Sequence, residues 1–270
     1  MSKIIGDYHL HTNFSADSDA AMEEMVQRAI HAGLEQLCFT EHMDYDFPEQ
    51  YALDFHLNTE KYYESLLQMQ QRYKDKILLL FGVELGLQPH IAEFYSHYVT
   101  EYPFDFVIGS THLVDRMDPY YPEFFEGRST FAAYTRYFET LLANLQTYAG
   151  FDVLGHLDYV IRYAKDTSYT YTYADFSGLI DEILKTVLHK GIGIELNTSG
   201  FKYGLQAPHP SVEVLKRYRE LGGEIITVGS DAHHPDYVAA SFEKARSLLK
   251  DCGFAYYTMF QKRKAEFYPL

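Results

Sequence analysis

Two histidines one residue apart, His9 and His11, close the short apolar run IIGDYHLH, and acids follow at once in HTNFSADSD. In an extended chain alternate side chains share a face, so His9 and His11 point one way with Leu10 between them. Two imidazoles side by side at a strand end can hold one metal ion. A solitary His-x-His proves little, because solvated or packed histidines produce the same letters. Here the pattern recurs along the chain. TEHMD supplies Glu41, His42 and Asp44; GVELG supplies Glu84; GSTHL supplies His112; GHLD supplies His156 and Asp158. ELNTSG then adds Glu195 and Asn197, and GSDAHH adds Asp231, His233 and His234. Each group follows a run of β-forming residues, and mixed imidazole and carboxylate donors suit zinc, iron or manganese.

The elements that must position these residues follow from hydrophobic periodicity. Strands are predicted at 4–10, 36–40, 77–85, 104–110, 151–156, 191–196 and 224–230. Helical patterns lie between them near 21–33, 59–74, 90–100, 130–149, 174–190, 211–222 and 237–250. Near-continuous apolar strands alternating with helices indicate a parallel sheet buried on both faces. Polar residues follow nearly every strand instead of gathering at one switch point, which favours a closed α/β barrel over an open sheet. In such a barrel all the strand ends meet on one rim, where enzymes of this architecture keep their active sites. Chance would scatter the same residues over the helices as well.

Composition narrows the function. The 270 residues are 47% hydrophobic and 23% charged, ordinary globular material without a linker or low-complexity segment, and the whole chain reads as one domain. A net charge of −15 argues against an extended nucleic-acid surface. Cys38 and Cys252 form no metal or disulfide pattern and should pack as small hydrophobes. No apolar run is long enough to span a membrane and the N-terminus carries no signal-peptide pattern, so a cytoplasmic protein is expected. His31, His56, His97 and His189 fall away from strand ends and read as structural, while His90 and His209 follow strands at a few residues' remove.

The ordered series His-x-His, Glu-His, Gly-Val-Glu, Thr-His, Gly-His and Asp-Ala-His resembles the PHP (polymerase and histidinol phosphatase) superfamily over almost the whole length. That resemblance implies a distorted (β/α)7 TIM-like barrel with two or three divalent metal ions. His9, His11, Glu84 and Asp231 resemble the ligands of a first metal. Glu84 would bridge to a second held by His112 and His156, and Asp17, His42 and His233 would bind a third. HTNFSADS, GSTHL and IELNTSGFKYG most resemble the stand-alone histidinol-phosphate phosphatases. In those the residue after NTSGF is commonly arginine; Lys202 here keeps the charge without the bidentate fork.

Hydrolysis of a phosphate monoester needs a nucleophile at neutral pH and a sink for charge. Clustered metals supply both, and a metal-bridging hydroxide is the expected nucleophile. Arg162, in GHLDYVIRY, is the leading cation for the phosphoryl oxygens, with Lys202 second. Asp17, Asp231 and His233 are the candidates for proton donor to the leaving alkoxide, alongside a metal-bound water. The expected substrate is L-histidinol phosphate, a small phosphate ester. Its ammonium and imidazole would meet a mouth formed from Asp44, Asp46, Asp158, Tyr120 and Tyr121, with Asn197 also among the substrate contacts, and DPYYPEFF at 118–125 could form an aromatic lid. The competing readings are a related phosphoesterase acting on phosphotyrosine or nucleotides, and a non-catalytic barrel that senses or buffers metal.

Overall fold

The computed structural model describes residues 3–164 and 169–270. Seven parallel strands run in chain order: β1 (Gly6–Asp7), β2 (Gln36–Met43), β3 (Leu78–Gly86), β4 (Phe106–Ser110), β5 (Val153–Leu154), β6 (Gly193–Asn197) and β7 (Ile226–Gly229). The first meets the last. Tyr8 N donates to Val228 O at 3.2 Å, Asp231 N to His9 O at 2.7 Å and His11 N to Ala232 O at 2.9 Å, which brings the sheet round into a nearly closed barrel. Around it lie α1 (Met22–His31), α2 (Thr59–Tyr73), α3 (Ala92–Glu101), α4 (Thr130–Thr147), α5 (Tyr173–His189), α6 (Ser199–Lys202), α7 (Val212–Glu220) and α8 (Phe242–Asp251).

Local sequence explains the elements. In α1, Met22, Met25, Val26 and Ala29 recur at helical spacing and are all buried, with Glu23 and Glu24 at the positive end of the helix and Arg28 and His31 at the negative end. Ser129 and Thr172 cap α4 and α5 by accepting from Ala132 N and Asp175 N. β2 and β3 are almost wholly buried, as parallel strands covered on both faces must be. Cys38 and Cys252 are both free and buried.

Two strands, one at the closure and one within the sheet, are shorter than the sequence predicts. β1 and β5 each keep two residues in regular pairing, because the chain leaves the ladder where His9, His11 and His156 turn inward. A further hairpin, β8 (Tyr256–Gln261) with β9 (Lys264–Pro269), is not announced by the strand–helix alternation. It covers the end of the barrel away from the ligand-rich rim. Tyr8 Oη donates to Phe260 O, Ile226 N to Thr258 Oγ1, and Lys262 N to Asp105 Oδ1, all near strand beginnings. Among the described residues no helix is long and apolar enough to cross a membrane.

Candidate metal centre

Glu84 is the hub. Parallel register sets it beside His42 across β2 and β3, and its fully buried carboxylate faces five imidazoles. Oε2 lies 3.1 Å from His9 Nε2, 3.5 Å from His11 Nε2 and 3.1 Å from His42 Nδ1. Oε1 lies 3.3 Å from His112 Nε2 and 2.9 Å from His156 Nε2, and accepts from Ser110 Oγ at 2.6 Å. Asp231 completes the inner side, 3.8 Å from His9 and 3.6 Å from His11. On the outer side Asp17 Oδ2 stands 3.1 Å from His233 Nε2 and 3.6 Å from His42 Nε2. The nine donors of the expected ligand set thus gather around one centre, and His9 and His11 share a face as alternation requires, with ring centroids 5.1 Å apart.

A second layer of groups fixes these donors. Glu195 Oε1 takes the Nδ1–H of His9 at 2.7 Å, which turns Nε2 toward Glu84, and Glu195 Oε2 accepts from His156 N. Asp44 Oδ1 does the same for His112 Nδ1 at 2.7 Å. Glu41 is tied to Thr12 and Ser15, and Ser15 in turn touches His11 Nδ1 and accepts from His42 N. Two glycines make room. A Cβ on Gly229 would stand 2.3 Å from both Glu195 Oε1 and His9 Cβ, and one on Gly86 would collide with Asp44 Oδ1. Asp231 adopts a left-handed φ of 54°, a conformation costly for a non-glycine residue and typical of functional positions.

The electrostatics show what the cluster lacks. Burial works against charge on Glu84, yet His9, His42 and His112 hold its carboxyl well below the usual range. Burial likewise disfavours protonation of His9 and His42, but the carboxylates beside them outweigh it and hold both well above the ordinary imidazole value. His11 goes the other way: burial and the neighbouring His42 and His233 push it well below. Its ring stacks against His42 at 4.1 Å and His233 at 4.2 Å, and His11 Nε2, His42 Nδ1 and His233 Nε2 are buried without hydrogen-bond partners. Orphaned imidazole nitrogens converging on carboxylates need cations. Four overlapping groups have their donor atoms within 4.8 Å of one another: His11–His42–His233, His9–His11–Glu84, His9–His156–Asp231 and His42–Glu84–His112. The donor set fits more than one divalent ion.

Above the cluster opens a cavity of about 430 Å³. Arg162 lines it from a single turn at Tyr159–Arg162, its side chain only 5% exposed. The guanidinium reaches Asp231 Oδ2 at 3.4 Å and Ser199 Oγ, and lies over the Tyr203 ring at 4.4 Å. Lys202 also lines the cavity, its ammonium 4.0 Å from the centroid of Tyr237. Tyr120 and Tyr121 form part of the wall, and Asp44 and Asp118 contribute carboxylates.

Three residues expected at the substrate lie elsewhere. Asp158 is fully buried behind Arg162, with Oδ1 taking the Nδ1–H of His209 at 2.6 Å and Oδ2 the N–H of Ser211 at 2.8 Å. His209 Nε2 then accepts from Arg162 Nε at 3.4 Å, so the acid steers the arginine instead of facing the pocket. Asn197 is fully buried behind Asp231, donating to it and to Glu195 while accepting from Ser199 N. Asp46 is exposed and paired with Arg116 and His90 at a neighbouring open groove. The residues following a strand diverge in direction, so nearness in sequence to His42 or His156 does not place a carboxylate in the mouth. His209 and Asp118 are the site residues that ligand spacing does not reveal.

A nearly closed α/β barrel with a buried imidazole–carboxylate cluster for several divalent ions and a guanidinium beside it defines a metal-dependent hydrolase of anionic esters. The chain belongs to the PHP domain family, whose pattern matches residues 7–199. It is 35% identical over 249 residues to a histidinol-phosphatase of Lactococcus lactis subsp. lactis, covering 92% of this chain and 91% of that one. It is 33% identical over 249 residues to a probable histidinol-phosphatase of Clostridium acetobutylicum, covering 92% and 94%. A crystal structure of the Lactococcus lactis histidinol phosphate phosphatase, in complex with zinc, L-histidinol and phosphate, superposes with a TM-score of 0.91 at 34% identity over 98% of this chain and all of that one.

Proposed function

We propose that this chain is a cytoplasmic phosphatase of histidine biosynthesis that hydrolyses L-histidinol phosphate to L-histidinol and inorganic phosphate. The observation that carries the reading is Glu84, shared by five imidazoles on the floor of a pocket whose wall presents the buried guanidinium of Arg162. The similarity to histidinol-phosphatases over nine-tenths of the chain supports the choice of ester.

His9, His11, Glu84 and Asp231 would hold one ion, Glu84, His112 and His156 a second, and Asp17, His42 and His233 a third, with zinc, iron and manganese all suited to these donors. Divalent ions bound there supply an activated water at neutral pH and absorb the charge of the phosphoryl group. Arg162 binds the phosphoryl oxygens, and the His209–Asp158 pair fixes the orientation of its guanidinium. Lys202 adds a second, more compact positive charge that lacks the bidentate fork. Asp231 aligns Arg162 with the cluster through Oδ2. His233, 22% exposed beside Asp17, faces the cavity and would serve the third ion, so it has no proton free for the leaving alkoxide.

The cavity suits a small ester, and the net charge of −15 disfavours a nucleic acid. The test is a panel of histidinol phosphate, phosphotyrosine and a dinucleotide on zinc- or manganese-reconstituted protein. Histidinol phosphate is the substrate with the highest kcat/KM. A preference for phosphotyrosine or the dinucleotide overturns the assignment.

A further inference from the structure

The carboxylates lining the pocket differ in one respect. Asp17 is paired with His42 and His233, Asp44 with His112, and Asp231 with Arg162 and His233. Asp118 pairs with no cation among the described residues. Its Oδ1 accepts from Tyr120 N at 2.8 Å, and its own N–H donates to Tyr51 Oη at 3.1 Å, which anchors the residue on the pocket wall. Around it the tyrosines form a continuous aromatic surface: Tyr51 stacks on Tyr121 at 4.2 Å, and Tyr120 meets Tyr121 at 5.0 Å and Tyr163 at 5.6 Å. Burial, opposed by the Tyr120 N–H and by the charge of His112, pushes the Asp118 carboxyl up to about 6.

An unpaired carboxylate in an aromatic wall, beside an anion-binding floor, is complementary to an organic cation that carries its phosphate a few bonds away. We propose that Asp118, backed by Tyr120 and Tyr121, is the subsite for the substrate's primary ammonium group and selects amino-alcohol phosphates over phosphate esters that lack the amine. The inference rests on the histidinol-phosphatase reading and names the residue that makes the substrate choice. An ammonium placed there gives Asp118 the counter-ion it lacks and leaves the imidazole ring against the tyrosines. The other acids cannot take this role, since each already neutralises an imidazole or a guanidinium.

The experiment compares histidinol phosphate with its deaminated analogue, 3-(imidazol-4-yl)propyl phosphate, on metal-reconstituted wild type, Asp118→Asn and Asp118→Glu. Wild type favours the amino ester in kcat/KM by at least about tenfold, most of it in KM. In Asp118→Asn that ratio falls at least about tenfold toward unity, and Asp118→Glu restores part of it. A ratio unchanged in Asp118→Asn, or already near unity in wild type, overturns the subsite. Competitive inhibition of wild type by L-histidinol against 4-(3-hydroxypropyl)imidazole gives the same comparison without a variant: equal inhibition constants overturn the proposal. If wild type hydrolyses phosphotyrosine better than either imidazole ester, the function reading has failed; a preference for imidazole esters that ignores the amine sinks only the Asp118 assignment.

Discussion

Glu84 and Asp118 are carboxylates of one molecule's active-site region with opposite surroundings. Glu84 lies fully buried on the barrel floor among five imidazoles and is held ionised by them. Asp118 sits on a loop at the wall, with tyrosines instead of cations around it, and burial pushes it toward its neutral form. The floor comes from strand ends whose register is set by the ladder, so its geometry survives loop variation. The wall comes from connections that can change without disturbing the ladder. Chemistry is placed where the backbone is fixed, and choice of substrate where it is free to vary.

That division can be broken from the floor first. Glu84→Ala should abolish phosphatase activity on every ester, because one carboxylate that faces both inner ligand groups is lost; activity comparable to wild type with metal retained would refute its bridging place. Arg162→Ala should lower kcat/KM by about 10- to 150-fold, the worth of a charge-assisted pair, and more than Lys202→Ala, whose ammonium cannot grip two oxygens. Wild-type kinetics for the arginine variant at unchanged metal content would remove Arg162 from the phosphate site. Glu195→Gln leaves the His9 Nδ1–H contact but removes its charge, and zinc affinity measured by competition with a chelator should fall about 10- to 100-fold. Asp158→Asn acts at one remove, through His209 on Arg162, and should cost about 2- to 10-fold in kcat/KM on amino and deaminated esters alike. A selective loss on the amino ester would instead put Asp158 in the mouth.

Much of the floor is legible in the sequence because metal ligation admits few residue types and the barrel delivers them at strand ends. Glu84 and His42 are read from GVELG and TEHMD, and the ladder aligns them. The wall is less legible. Asp118 follows a tight turn whose central residues, Asp115 and Arg116, have φ of 52° and 61°, without the glycine or asparagine that marks such a turn. The β8–β9 hairpin is hidden for the same reason, since Lys262 and Arg263 turn at φ 52° and 61°. His209 comes from a loop 51 residues beyond Asp158, and only the folded chain brings the two together.

The floor's charge also sets a pH dependence. Burial disfavours protonation of His9, His42 and His112, but nearby carboxylates prevail and raise all three, His112 to about 10. A raised imidazole contributes stability that is complete below its unfolded value, about 6.5, and is lost as pH climbs through the folded value. Tm of chelator-stripped protein should therefore fall between about pH 6.5 and 10, and fall less once zinc replaces those protons. Identical Tm profiles with and without zinc would contradict the linkage.

The most direct test of a multi-ion floor is a zinc titration of chelator-stripped protein, following bound zinc and histidinol phosphate turnover together. Turnover should be absent at zero zinc and rise to its maximum only as two to three ions bind per chain. Full turnover by the stripped protein, or saturation of both signals at one ion per chain, would contradict it.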